Sequence, residues 1–468
     1  VSEAMAAMGV ATTRALAAVA TGDRVQREQA HPGAVLTRVA SSHIRVGTFQ
    51  FFAAHFGADH VAQLSDYAVR RHFPELAEAA NPHLALLDRV IGLQCDLVAS
   101  WLGVGFIHGV MNTDNVAISG ETIDYGPCAF MDRFAVNTVF SSIDANGRYS
   151  YGRQPQILHW NMARFAEALL PAIHAVEPGD VEEAKALANA IPERFRAAWF
   201  ARMRAKLGLT QPGEGDAELI DGLFDQLEAH QVDFTLFFRA LAMLLRGEGD
   251  MLQALLPAPD AMAPWIAEWW ALIEREPAGP LECADAMDRV NPLYIPRNHL
   301  VEAALADAEA GDMTAWRELL DVVRQPFVPR SEWEAFAHPA PEGFGPYTTF
   351  CGTRPACRAL LSGRPALARA AANPIEDRIF VPDRIGGDQL AQNHRGRYRL
   401  CRHIERGAAR AAQPRRRARY RSAEGRPHQR PDLADRRPGD RGVSGEPSAR
   451  SGRDDRQAGR LSRQRFRD

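Results

Sequence analysis

Several kinds of segment are missing from this 468-residue chain, and each absence closes off a class of function. No uninterrupted apolar run approaches the roughly 20 residues of a membrane-spanning helix, so no membrane partner is expected. The first residues, Val1-Ser2-Glu3-Ala4-Met5, have neither the charged stretch nor the apolar stretch of a secretion signal, which favours the cytoplasm. They read as mid-helix, so the chain is expected to begin inside a domain. The six cysteines, Cys95, Cys128, Cys283, Cys351, Cys357 and Cys401, form no CxxC pair and show no zinc spacing. Reduced thiols are the expectation. Charge of one sign is lacking too: a formal net charge of -3 gives no whole-chain case for a nucleic-acid partner. Apolar residues, in contrast, make up 46% of the chain, ample for a core, and the length suggests two or three domains.

Composition and periodicity divide the chain. An Ala-rich helix opens it and a short element follows at Arg14–Val19. Ala34–Val39 is a β-like run, with Ile44–Gly47 a candidate continuation past a turn. Phe49, Phe51, Phe52 and Phe56 read as core and open a helical region reaching to about Leu102. Within it Leu84, Leu86, Leu87, Val90, Ile91 and Leu97 recur at helical spacing. Helices are predicted over 157–175, 181–206, 216–246, 262–276, 297–309 and 313–323, punctuated by Gly and Pro. After about Thr353 the chain turns to Arg, Ala, Pro, Gly, Asp and Ser, as in Arg415-Arg416-Arg417-Ala418-Arg419. Such a segment buries too little apolar area to offset the entropy of ordering, so disorder is expected. Its bias is also what out-of-frame translation of GC-rich DNA produces.

The chemistry concentrates in His108-Gly109-Val110-Met111-Asn112-Thr113-Asp114-Asn115 and Thr122-Ile123-Asp124-Tyr125-Gly126. Kinase-like phosphotransferases place a catalytic Asp two residues after the His of this loop, a metal-binding Asn five further on, and a second metal-binding Asp in a DFG-type triplet. Asn115 stands in register with that Asn, and Asp124-Tyr125-Gly126 with the triplet. The kinase base position holds Val110, which accepts no proton, but a carboxylate, Asp114, adjoins Asn115. A hairpin is predicted, Val116–Ser119 against Thr122–Tyr125 about a Gly120-Glu121 turn, with Asn115 and Asp124 at its two ends. Against these stand plainer readings. Asn115 and Asp124 are also ordinary turn formers, Asp114 a cap, and Arg38 and Arg45 structural ion pairs or exposed strand charges. His108 is expected to orient the loop by hydrogen bonding, and Asn112 is left without a role.

Together these residues resemble the signature of the selenoprotein O family, also called YdiU. Ser2–Met5, Thr12–Ala17, Pro32–Leu36, Ile44–Phe49, Trp160–Phe165, Asn291–Asn298 and Phe350–Thr353 fit the same family, so the resemblance covers about residues 1–353. It implies an α+β, protein-kinase-like fold: a residual N-lobe with linking helices over 1–100 and a mainly helical catalytic C-lobe over 101–353; the tail over 354–468, expected to be disordered on its composition, lies outside the resemblance. It also implies protein adenylyltransferase activity, in which AMP passes from ATP to Ser, Thr or Tyr hydroxyls; some members transfer UMP with manganese. By position Asp114 would be the proton acceptor, Asn115 and Asp124 the ligands of Mg2+ or Mn2+, and Arg38 and Arg45 the phosphate contacts, with Asp124 also at the nucleotide. The family's glycine loop, strand lysine and its glutamate partner are expected upstream of Val1, and Glu3 is not given the glutamate's role. An N-terminally truncated product is therefore expected. Cys351 lies where some members carry selenocysteine, and a redox role there competes with an idle thiol. An atypical kinase-like phosphotransferase and an inactive binding fragment are the rival readings.

Overall fold

The structure, a computed structural model, describes residues 1–26 and 30–350; the expected tail over 354–468 and Cys351 lie outside the described residues. The described chain is α+β with the helices dominant, in keeping with a kinase-like fold and a helical C-lobe. Among the described residues no helix is long and apolar enough to cross a membrane.

Helix α1 (Ser2–Ala7) leads into an antiparallel ribbon, β1 (Arg14–Gln26) and β2 (Ala30–Val39), in which Arg14 faces Val39 and Ala20 faces Ala34. All of β1 is exposed. Glu3 is held at the surface by Arg14 at 2.7 Å and Arg324 at 3.2 Å. The expected strand continuation at 44–47 is instead the start of helix α2 (Val46–His55); only Arg45 keeps a strand-like bridge, to Ala117. Helices α3 (Ala58–His72) and α4 (Pro82–Gly103) follow. Asn81 caps α4, its side chain accepting from Leu84 N at 3.3 Å, and Pro82 supplies a first-turn φ that suits a helix. The apolar positions foreseen on α4 are buried, and they form one core with α2, α3 and α5 (Gln154–Val176).

The remaining helices are α6 (Asp180–Asn189), α7 (Ile191–Lys206), α8 (Asp216–Ala229), α9 (Phe234–Leu245), α10 (Asp250–Leu255), α11 (Pro259–Ile273), α12 (Gly279–Val290), α13 (Asn298–Glu309), α14 (Thr314–Val323) and α15 (Glu334–Ala337). A second core gathers side chains of α7, α8, α9, α11 and α12. Two predicted helices are each broken in two. The 181–206 helix stops before Ile191 because Pro192 lacks an N–H and disfavours helical geometry just ahead of it. The 216–246 helix is interrupted where Gln231 takes φ 52° and Asp233 starts α9 afresh, capping Leu236 N at 2.8 Å. Helices α10, α12 and the short α15 went unforeseen.

A two-stranded pair, β3 (Phe106–Ile107) with β4 (Ala129–Phe130), frames the motif region. The predicted 116–125 hairpin does not form. The chain does turn, with Gly120 N bonded to Ala117 O at 3.1 Å, but its two arms pair outward. Ile118 N bonds Ile44 O at 3.1 Å, and Thr122 N bonds Ala11 O at 2.9 Å. Those outside partners take the ladder positions a hairpin would need.

The Asn291–Asn298 stretch locks the helical lobe. The Arg297 side chain, fully buried, pairs with Asp132 at 2.6 Å and Asp233 at 2.7 Å and donates to Ala337 O at 2.8 Å. Asn298 Nδ2 donates to Phe130 O at 2.9 Å, and the Asn291 Oδ1 accepts from buried Lys206 Nζ at 2.7 Å. Arg297→Met would strand the Asp233 carboxylate in the interior and deprive the partly buried Asp132 of its cation. A loss of about 3–5 kcal/mol in urea unfolding is expected, and a loss under about 1 kcal/mol would show that this pair behaves like a surface ion pair.

Candidate functional site

Strand β3 delivers the chain directly to His108, whose ring is fully buried, 5.2 Å from the Trp101 ring and 6.2 Å from that of Phe106. Burial holds its pKa below the ordinary 6.5, so the ring is neutral. Its Nε2 donates to Ile123 O at 2.9 Å and its Nδ1 receives Val110 N at 3.4 Å, an assignment that fits one tautomer. Both ring nitrogens are thus committed to backbone, and His108 is an orienting group. Gly109 sits at φ 80°, and a methyl there would lie 3.2 Å from the Pro127 carbonyl carbon, so glycine is required twice over.

Val110 is buried, and its carbonyl accepts Asn115 Nδ2 at 2.8 Å. That bond fixes the amide and leaves Oδ1 of Asn115 as the atom free to meet a ligand. Asn112, whose role the sequence left open, is a cap: its Oδ1 accepts Asp114 N at 3.1 Å and starts the 3₁₀ turn Thr113–Asn115. Asn161, part of the Trp160–Phe165 motif, holds Met111 O at 2.9 Å. The isolated sequence gave no signal for that contact.

Asp124 takes φ 67°, one of two positive-φ non-glycine residues among those described. Its flanks are pinned. Ile123 O is bonded to His108, and Tyr125 OH meets Thr12 Oγ1. Thr122 Oγ1 accepts Trp101 Nε1 at 2.8 Å and donates to Ala11 O at 2.8 Å. The Asp124 carboxylate is about half exposed and faces Arg38 at 3.8 Å. Asn115 and Asp124, foreseen at the ends of one hairpin, are instead linked through Val110, the His108 ring and Ile123.

Arg45 precedes α2, its N bonded to Thr48 Oγ1 at 3.1 Å. Val46 N bonds Val116 O at 2.9 Å, which ties α2 to the residue after Asn115. The Nε of Arg45 is buried without a partner, as is that of Arg297. The Asp114 carboxylate lies over Gly47 in the first turn of α2. Among the described residues no three His, Cys, Asp or Glu side chains converge as a metal cage. The oxygens at hand are Asn115 Oδ1 and the half-exposed Asp124 carboxylate, hard donors of the kind Mg2+ takes alongside phosphates and water.

The protein adenylyltransferase SelO family matches residues 1–324. A protein nucleotidyltransferase YdiU from Sphingopyxis alaskensis is 80% identical over 353 residues, 75% of this chain and 72% of the relative. Proteins of the same name from Cereibacter sphaeroides, 52% identical over 355 residues, and Rhizobium leguminosarum bv. trifolii, 50% identical over 359 residues, cover the same 75% of this chain and 72% and 71% of themselves.

The buried neutral His108 makes stability depend on pH. Unfolded, it takes a proton as pH falls below 6.5; folded, it does so only further down. Its contribution is therefore complete above 6.5 and lost progressively below. Asp221 works in the opposite sense: both its oxygens are buried without hydrogen-bond partners, and burial pushes its pKa up to about 7. The quantity to read is thus the difference between wild type and His108→Gln. Melting temperatures between about pH 5 and pH 7 should fall less steeply with acid in the variant. Parallel curves would show that His108 does not titrate on unfolding.

Proposed function

The chain belongs to the protein adenylyltransferase SelO family and is a nucleotidyltransferase, and from that premise we propose that it transfers AMP from ATP to Ser, Thr or Tyr hydroxyls of proteins, with Asp114 as proton acceptor. The observation that carries this reading is Asp124, held at φ 67° between anchored neighbours, Ile123 and Tyr125, with its carboxylate toward Arg38. A left-handed conformation at a non-glycine residue costs energy, and such residues cluster where a site demands a particular side-chain direction.

In this reading Arg38 and Arg45 bind the phosphates, each guanidinium offering a planar fork to phosphate oxygens. Asn115, through Oδ1, and Asp124 hold Mg2+ or Mn2+, which neutralises charge on the phosphates when bound. The protein hydroxyl oxygen forms a bond to the α-phosphorus as the bond to the bridging oxygen of the β-phosphate breaks. Pyrophosphate leaves, and the Asp114 carboxylate takes the hydroxyl proton. Val110 in the kinase base position, buried and apolar, argues against ordinary γ-phosphoryl transfer.

The test is incubation with Mg2+ or Mn2+ and ATP labelled on either the α- or the γ-phosphate. Label from the α-phosphate should appear on protein, vanish in Asp124→Ala, and fall by about 10²–10⁴-fold in Asp114→Asn. Label from the γ-phosphate alone would make the chain a phosphotransferase. No label from either would leave this chain a binding fragment. UTP in place of ATP separates AMP from UMP transfer.

A further inference from the structure

We infer that Gly47 is a positioning residue for the reaction: the first turn of α2 provides the seat on which the Asp114 carboxylate stands, and only glycine leaves room for it. The inference rests on Asp114 being the proton acceptor. A methyl built on Gly47 would lie 3.0 Å from Asp114 Cγ and 3.3 Å from its Cα, with Oδ1 closer still. Gly47 does not have a positive φ, so its requirement is space and not backbone freedom. Among the described residues no donor is hydrogen-bonded to the Asp114 carboxylate. Packing against the bare backbone of Gly47 is what sets its place, and the positive end of α2 favours a carboxylate there.

The seat itself is rigid. Val46 and Phe49 are fully buried, and the Phe49 ring meets that of Phe165 edge-on at 5.0 Å. Backbone bonds from Val46 to Val116 and from Ile118 to Ile44 clamp the turn to the segment following Asn115. Arg45, two residues before Gly47, belongs to the same clamp. One short piece of chain therefore carries a phosphate-binding cation and the support of the base. The separation between the bound α-phosphate and the proton acceptor is then set by α2 and not by the exposed Asp114 side chain alone. A shift of about 1 Å at such a point costs on the order of 10²-fold in rate.

The test is a pair of double-substitution cycles on the whole chain. Alanine ordinarily suits a helix better than glycine, so Gly47→Ala should raise or preserve the melting temperature unless Asp114 stands in the way. The expected result is a lower melting temperature for Gly47→Ala in the wild-type background, and a penalty largely relieved in Asp114→Ala. In transfer from α-labelled ATP, Gly47→Ala should lower kcat on the order of 10²-fold with little change in the KM for ATP, and should cost nothing further in Asp114→Asn. Equal melting penalties in both backgrounds, a wild-type kcat for Gly47→Ala, or multiplying rate losses would each overturn the inference. Asp114→Asn at the wild-type rate would instead overturn Asp114 as the base, a different result from silence at Gly47 alone. The melting cycle reads the seat without activity, so it decides that contact even if the chain transfers no label.

Discussion

The site depends on a single buried ring. His108 receives the Val110 amide on one nitrogen and donates to the Ile123 carbonyl from the other, and so joins the loop that carries Asn115 to the segment that carries Asp124. A charged ring would have two donors and would face the Val110 N–H with a second hydrogen, breaking that bond. Burial prevents this by holding the ring neutral. The aromatic packing of Trp101 and Phe106 is thus part of the site's chemistry, since it keeps the imidazole dry and in one tautomer.

The strain at Asp124 can be weighed against what restrains it. A non-glycine residue in the left-handed region costs on the order of 1–3 kcal/mol. The neighbours supply hydrogen bonds at Thr122, Ile123 and Tyr125, those from Trp101 and His108 buried, each worth about 0.5–1.5 kcal/mol net. The anchors are thus of the same order as the strain they hold. The carboxylate is consequently aimed by the fold before any ligand arrives, which is what electrostatic preorganisation requires.

Much of this was legible in the chain and part was not, for physical reasons. The α4 face could be read because Leu86, Leu87, Val90 and Ile91 repeat at the helical period and all face one core. The loop residues could be singled out because Asn115 and Asp124 stand at kinase-like spacing. The hairpin between them misled, since local turn chemistry at Gly120 is real, but the partners of its arms, Ile44 and Ala11, lie more than 70 residues away in sequence and leave no local trace. The roles of Asn161 and Gly47 were hidden for the same reason, each being defined by what it touches, whereas the cap made by Asn112 on Asp114 N is local and was readable in principle. The two helix breaks at Pro192 and Asp233 were readable in principle, because proline geometry and an Asp cap are local signals.

The proposed phosphate role of Arg38 and Arg45 can be set beside the surroundings of the other arginines. Arg297 shows what a structural arginine looks like here: fully buried, with two carboxylates and a carbonyl on its terminal nitrogens. Arg45 has a buried Nε without a partner, and no described residue is bonded to its guanidinium. Arg38 meets only Asp124, at 3.8 Å, beyond hydrogen-bond reach. A buried polar atom left without a partner costs free energy, and Arg45 carries that cost at Nε alone, as Arg297 does at its own Nε. The two differ at the terminal nitrogens: those of Arg297 are taken by two carboxylates and a carbonyl, whereas Arg38 and Arg45 keep theirs for the proposed phosphate contact.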